Sequence, residues 1–536
     1  MIACDPALKP RTRVREAMAG AANQANSRIC NRTLERWAQY GICLLALYAG
    51  ARAVVASISK PLWFDEILTV AVARQPTLGL MWRALRGGVD MQPPLFYLIE
   101  RAAAKVPNAQ IGFRLPSVLG LVCILLCLFL FVRRRTSGIN ALPAAAVAIL
   151  TTLYIPYAIE ARPYTLAVAC VAVALVAYQR ASSFRWVVLM ALALALGDSL
   201  HYYVVFAIVP FVAAEAAFFW RTSKLRPAVW AALVVGGVPF AASWPLLARV
   251  KATYGPGFWA QPKLLTLRDF YGDFLNVSFP WGLAAAIVCA LVMVVPFASG
   301  HWPLLNLWAG ESTSELSGDS PFHEAVLIFS LLATPLIVFI AVEIAQGAYT
   351  DRYALFGGLG VPLAVGLILP RLGRTTLLLC CSLLACAIAM QEASFFSAPH
   401  PLWRLSPPAA FAESVLAASG HPDLPVVIQN AHEYLQLAYY APEPFARRLV
   451  WLADDAAALR YAKNDSNEKG LPRLATCFPL KVYDFQKFSQ THSAFLFYSM
   501  QGGSENWLPD ELIRYGYKLR VLASTQDHLV VLAERP

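Results

Sequence analysis

Two adjacent carboxylates, Asp65 and Glu66, follow an aromatic pair, Trp63-Phe64, and a third, Asp90, comes 25 residues later. A carboxylate is a ready general base for a hydroxyl, and close to a bilayer it is costly unless it is solvated or used. Both acidic positions also have a local reading. Asp65 can cap the helical run Glu66–Ala73. Asp90 precedes Gln92-Pro93-Pro94, two prolines that fix an extended turn and permit a helix from Leu95. Further on, Glu160, Arg162 and Tyr164 stand within five residues, and Asp351 and Arg352 are neighbours. Each of these clusters alone reads as a local ion pair. Together they supply carboxylates for base catalysis and arginines for a phosphate.

The elements that must hold these residues are apolar helices. The 536 residues are 58% hydrophobic and 14% charged, with a mean hydropathy of +0.53. Soluble domains carry about 25% charged residues, and runs such as Leu115–Val132 and Val326–Val342 stay apolar all round, unlike a soluble surface helix. The pattern predicts a polytopic α-helical membrane protein. Its spans are Trp37–Ile58, Ile111–Val132, Ala141–Ile159, Thr165–Tyr178, Trp186–Leu200, Val204–Trp220, Ala228–Ala248, Trp281–Ser299, Phe322–Val342, Ala354–Leu369 and Thr375–Met390, about eleven in all.

Charge sets the predicted orientation. Turns 133–135, 180–185, 221–226 and 371–374 hold ten Lys and Arg, whereas turns 160–164, 201–203 and 343–353 hold only Arg162 and Arg352. The basic turns face the cytoplasm by the positive-inside rule. Residues 1–36 then form a basic cytoplasmic tail, expected to be disordered and not a cleaved signal peptide. The motif-bearing first loop, 59–110, faces outward, with amphipathic helices at Leu78–Leu85 and Leu95–Lys105 lying in the interface. The loop at 300–321 has three acidic residues and no Lys or Arg, and does not support its own inside placement.

The character changes near residue 397. Residues 397–536 carry 13 Lys+Arg against 14 Asp+Glu, and the rest of the chain 31 against 19. Short β-rich runs at 425–429, 449–452, 494–498, 520–522 and 528–533 alternate with helical stretches Ala431–Tyr440 and Pro509–Tyr515, which predicts a soluble C-terminal α/β domain outside the membrane. No Gly-rich phosphate loop occurs in it. Eleven cysteines form no disulfide framework: Cys43, Cys123, Cys127, Cys170, Cys289, Cys380, Cys381 and Cys386 lie in apolar runs, and Cys477 has no partner within its domain. No zinc-ligand spacing occurs, and no motif points to nucleic acid.

The motifs Asp65-Glu66, Asp90…Pro93-Pro94-Leu-Phe-Tyr97, Arg114-Leu-Pro-Ser117, Glu160-Ala-Arg162-Pro-Tyr164 and Arg352-Tyr353, in this order across residues 37–395, resemble bacterial GT-C glycosyltransferases. The likeness is to the family 39, protein O-mannosyltransferase and aminoarabinose-transferase-like branch. The resemblance implies a polyprenyl-phosphate sugar donor, membrane lipid around it, and transfer to a lipid, protein or glycan acceptor at the outer face of the bacterial inner membrane, with a periplasmic C-terminal domain. By the resemblance Asp65 is the base, Glu66 supports it or orients the loop, and Asp90 is a second acidic residue on the acceptor side. Arg162 and Arg352 hold the donor phosphate with Tyr164 and His201 nearby, and Glu160 and Tyr353 belong to the same motifs. Gln92 departs from the family, where His or Lys precedes the proline pair, and it can neither titrate nor act as a cation. Some of these enzymes use a divalent metal at the acidic loop, and adjacent carboxylates can bind one; nothing in the sequence requires it. A transporter or flippase of lipid-linked sugars is the rival reading, and inverted repeats would favour it. An inactive glycan-binding scaffold is a second rival.

Overall fold

The computed structural model describes residues 8–151, 154–275, 321–372, 374–397, 412, 416, 420–500, 507–524 and 528–535. Helix α1, Leu8–Ser59, is about 78 Å long at 1.5 Å per residue, far more than a hydrocarbon core of about 30 Å. Only its Arg32–Ser59 part has the apolar character of a span. The basic segment expected to be disordered is therefore helical from Leu8. Its composition permits this: alanines and other good helix formers dominate, and proline appears only at positions 6 and 10.

The loop after α1 folds into α2 (Phe64–Ala73), α3 (Leu78–Arg86) and α4 (Pro94–Ala103). The two amphipathic helices lie where the apolar spacing puts them. Leu78 and Trp82 stay exposed beside Arg83 and Arg86, while Met81, Ala84 and Leu85 are buried. Asp65 does not cap α2. The helix begins two residues earlier, at Phe64, and it is Glu66 that reaches back, accepting the Trp63 N–H at 3.0 Å.

Among the described residues, six helices are long and apolar enough to cross a membrane: Arg32–Ser59, Ala109–Arg133, Tyr202–Thr222, Pro227–Tyr254, Phe322–Ala345 and Asp351–Arg371. Gly138–Leu150, Tyr164–Tyr178 and Leu378–Ala393 are shorter apolar helices. The expected span Ala141–Ile159 is broken. Its helix stops at Leu150, Thr151 turns extended, and a separate turn follows at Ile155–Ala158, with Pro156 near its start, where the missing N–H is tolerated. The expected span Ala228–Ala248 runs on to Tyr254, so the loop after it is shorter than predicted. The expected span at 281–299 and all but the last residue of the loop at 300–321 lie outside the described residues.

Helices α5 (Leu115–Arg133) and α6 (Tyr164–Tyr178) pack closely enough to bring their N-terminal ends together. Gly120 allows this, since a Cβ there would lie 2.7 Å from the Leu166 nitrogen. Two hydrogen bonds pin the same contact: Ser117 Oγ donates to Arg162 O at 2.8 Å, and Thr165 Oγ1 to Ser117 O at 2.9 Å.

The C-terminal lobe is a six-stranded sheet: β1 (Val426–Ile428), β2 (Leu449–Ala453), β3 (Val482–Asp484), β4 (Ala494–Met500), β5 (Lys518–Ser524) and β6 (His528–Glu534), in the order β3-β2-β1-β4-β6-β5. The first four strands are parallel; β6 pairs antiparallel with both β4 and β5. Alternate residues feed two cores. Val427, Val450, Phe495 and Phe497 form one with Phe485 and Leu512, whereas Val426, Ile428, Trp451 and Tyr498 join the core that continues into the helical domain. That face is covered by the lobe helix Ala431–Tyr440, which in turn packs on α2.

Candidate active site

Glu66 and Asp65 are neighbours with different surroundings. Glu66 is fully buried, and Arg114, also fully buried, donates to it twice: Nε to Oε1 and Nη2 to Oε2, both at 2.6 Å. The Ala161 N–H donates to Oε1 at 2.7 Å. With the Trp63 N–H, four donors saturate this carboxylate. The remaining Arg114 hydrogens go to the carbonyls of Ser57, Lys60 and Pro61. The Arg114–Glu66 pair therefore fastens the end of α1, the start of α2 and the turn before α6.

Asp65 faces the other way. Its Oδ2 lies 3.1 Å from Arg352 Nη1, and both side chains keep a small exposed area. Its carbonyl accepts from Arg162 Nη1 at 3.2 Å. Arg162 forks onto Asp90, Nη1 to Oδ2 at 2.7 Å and Nη2 to Oδ1 at 3.4 Å, and also meets Thr69 Oγ1 at 3.2 Å. Burial opposes its charge, but Asp90 and Asp65 more than compensate and raise its pKa well above the usual value. The Met91 N–H donates to Asp90 Oδ1 at 2.7 Å. Gln92 is buried just beyond, with its backbone N–H 3.4 Å from the Tyr97 hydroxyl.

Aromatic rings close around the second arginine. Arg352 lies over Trp63 at 5.8 Å, Tyr164 at 5.7 Å and Trp259 at 5.4 Å. His201 packs against Tyr164, Tyr203 and Tyr353 at 5.4–5.6 Å. Burial foremost, then Arg162 and Arg352, lowers its pKa to about 3, so the ring is neutral. Asp351 accepts from the Tyr157 hydroxyl at 2.9 Å. Glu160 faces Lys60 at 3.5 Å, and burial, only partly opposed by Lys60, raises its pKa.

The structure thus brings Asp65, Asp90, Arg162, Tyr164, His201, Arg352 and Tyr353 into one cluster, with Glu66 beneath it. Four contributors carry no role in the sequence reading. Arg114 lies in a quoted motif, but nothing in its spacing points to residue 66. Lys60 and Trp259 come from loops whose folding is not local. Glu100 is fully buried on α4, with neither carboxylate oxygen hydrogen-bonded; burial, with the field of Glu66, raises its pKa well above the usual value. Its position one turn beyond Tyr97 on an apolar face was the available signal.

A metal held by Asp65 and Glu66 together does not fit. Both oxygens of Glu66 are taken, Asp65 faces an arginine, and among the described residues no three His, Cys, Asp or Glu side chains gather around one point.

The class defined by this fold is a polytopic helical membrane protein with an acidic loop after its first span and a docked C-terminal sheet lobe, the fold of two solved structures. Two solved structures of ArnT from Cupriavidus metallidurans share it over 92% of this chain and 98% of theirs. The apo form matches with a TM-score of 0.55 at 12% identity, and the form bound to undecaprenyl phosphate with 0.50 at 11% identity. An Archaeoglobus fulgidus oligosaccharyltransferase tethered to an acceptor peptide matches with a TM-score of 0.37 at 11% identity, over 86% of this chain and 69% of its own. No protein-family model and no curated protein sequence matches this chain.

Proposed function

We propose that this protein is a glycosyltransferase that moves a sugar from a polyprenyl-phosphate donor to an acceptor hydroxyl or amine at the outer face of the bacterial inner membrane. The observation that carries the reading is the pairing of one partly exposed carboxylate, Asp65, with Arg352, beside the buried Arg162–Asp90 pair. In this reading a base on the first turn of α2 and a phosphate-binding cation stand side by side. The fold shared with ArnT, one of whose structures holds undecaprenyl phosphate, supports the choice of donor.

In this reading Arg352 turns from Asp65 to the donor phosphate, and the freed carboxylate takes the acceptor proton. The acceptor atom forms a bond to the anomeric carbon as the bond from that carbon to the phosphate oxygen breaks. The electron pair leaves with the polyprenyl phosphate, whose charge Arg352 and the nearby Arg162 stabilise. Asp90 keeps Arg162 in place, Glu66 sets the backbone of the first turn, and the aromatic rings meet the apolar tail and the sugar faces. The basic inner turns support a cytoplasmic N-terminal helix and a C-terminal lobe on the periplasmic side.

The test uses purified protein in lipid vesicles with labelled polyprenyl-phosphate sugars and an envelope fraction as acceptor. Transfer by wild type that is lost in Asp65→Asn at equal expression supports the reading. Donor crossing the bilayer with no transfer by either protein would replace it with a lipid-linked sugar flippase.

A further inference from the structure

The strap at residues 254–260, between the long helix Pro227–Tyr254 and the helix Leu264–Leu275, joins the C-terminal lobe to both halves of the site. From the lobe, a helix at Ser466–Leu474 grips it. Ser466 Oγ accepts the Trp259 N–H at 3.0 Å, the Asp465 N–H donates to Gly257 O at 3.2 Å, and Lys469 Nζ reaches Tyr254 O at 3.5 Å. Arg473 lies over the Tyr254 ring at 5.8 Å. Toward the helical domain, the Tyr254 hydroxyl donates to Gly88 O at 2.8 Å, two residues before Asp90. The Tyr349 N–H donates to Ala260 O at 2.8 Å, three residues before Arg352, and Trp259 lays its ring on Arg352 itself.

We infer that Trp259 is a positioning residue for Arg352, and that the C-terminal lobe controls donor binding by holding the strap that carries it. The inference rests on the reading that Arg352 holds the donor phosphate. Three rings face this guanidinium, and they differ in what holds them. Trp63 and Tyr164 start helices of the membrane domain, with Trp63 also meeting His432 of the lobe edge to face at 6.2 Å, whereas Trp259 sits on the strap, whose backbone the lobe grips directly. A guanidinium seated on aromatic faces keeps its plane and its direction while its hydrogen-bonding edge exchanges a carboxylate for a phosphate. Removing the ring that the strap carries leaves the guanidinium free to tilt away from the direction in which a phosphate would meet it. Gly257 shows how tight the grip is, because a Cβ there would lie 2.5 Å from Asp465 Oδ1, and that carboxylate is held by Lys469 at 2.7 Å.

The experiment measures binding of a fluorescent polyprenyl phosphate to the full chain in nanodiscs, with donor KM and kcat alongside. Trp259→Leu keeps bulk without the aromatic face and should weaken binding roughly three- to thirtyfold, raising KM more than it lowers kcat. Trp259→Phe should stay within about threefold of wild type. Gly257→Ala, which changes no aromatic residue but lifts the strap and Trp259 with it, should behave like Trp259→Leu. Equal binding by wild type, Trp259→Leu and Gly257→Ala overturns the inference and leaves the donor reading standing. Equal loss in the Leu and Phe variants also overturns it, since the aromatic face would then not be what matters. No binding by wild type overturns the donor reading and this inference together.

Discussion

Arg114 and Glu66, 48 residues apart in the chain, meet through two hydrogen bonds of 2.6 Å with neither side chain exposed. A fully buried ion pair gains little over an apolar pair of the same shape, but losing one partner strands the other charge, at a cost of about 3–5 kcal/mol. Glu66→Gln and Arg114→Lys should therefore both lower thermal stability and yield of folded protein. Arg114→Lys should suffer in spite of its retained charge, because an ammonium cannot serve both oxygens and three carbonyls in one plane. Unfolding temperatures at or above the wild-type value would show that the pair does not hold the loop.

Asp65 should respond differently. It has one arginine contact and some exposure, so Asp65→Asn is expected to fold normally and keep its unfolding temperature. Its transfer rate should fall on the order of a hundred- to ten-thousandfold, the usual contribution of a general base. Binding of polyprenyl phosphate should persist or tighten, because Arg352 loses its competing anion. Retained transfer in the Asn variant would remove Asp65 from the base role.

The fork between Arg162 and Asp90 is suited to a double-mutant cycle. Asp90→Asn and Arg162→Met should each destabilise the protein by a few kcal/mol by leaving a buried charge without its partner. The double variant should cost clearly less than the sum, with coupling of about 0.5–3 kcal/mol. Additive losses would place the two residues in separate roles.

In the lobe, Glu468 is buried and its Oε1 accepts the Trp507 indole N–H at 3.0 Å. Burial, which outweighs that hydrogen bond, raises its pKa to about 7, against about 4.3 for an unfolded glutamate. A raised folded-state pKa means that the fold favours the protonated form. Its contribution is complete below about pH 4.3 and is lost as the pH climbs through 7. Glu468→Gln, neutral throughout, should gain in unfolding temperature relative to wild type across that window and then hold a constant lead. A lead that does not change with pH would place the ionisation elsewhere.

Periodicity located most of the helices, because apolar spacing and proline positions act locally: Ala431–Tyr440 has the same bounds in sequence and structure, and α4 starts at the second proline of its pair. The strand at Val482–Asp484 was missed because it is three residues long, largely exposed and has no alternation to read. The break after Leu150 was missed because hydropathy does not register the turn of an apolar chain at Thr151. In the site, the acidic and basic residues were legible from their types, but their partners were not. Asp65 and Glu66 look equivalent as text, and only the placement of Arg114 and Arg352, fixed by long-range packing, separates them. The Trp259 contact depends on residue 466 of the lobe, which no local rule connects to residue 352.

The bond between Leu62 and Tyr440 has a consequence for the order of assembly. The Leu62 N–H donates to the Tyr440 hydroxyl at 2.7 Å, and Gln436 donates to the carbonyl of the same residue at 3.2 Å. These partners lie 378 and 374 positions later in the chain. When the first outer loop emerges, neither group has its final partner, and the lobe that supplies both is synthesised last. The backbone entering Asp65 is therefore completed only after every span has been inserted, so a chain stalled in the membrane before residue 436 carries the acidic motif without its finished setting.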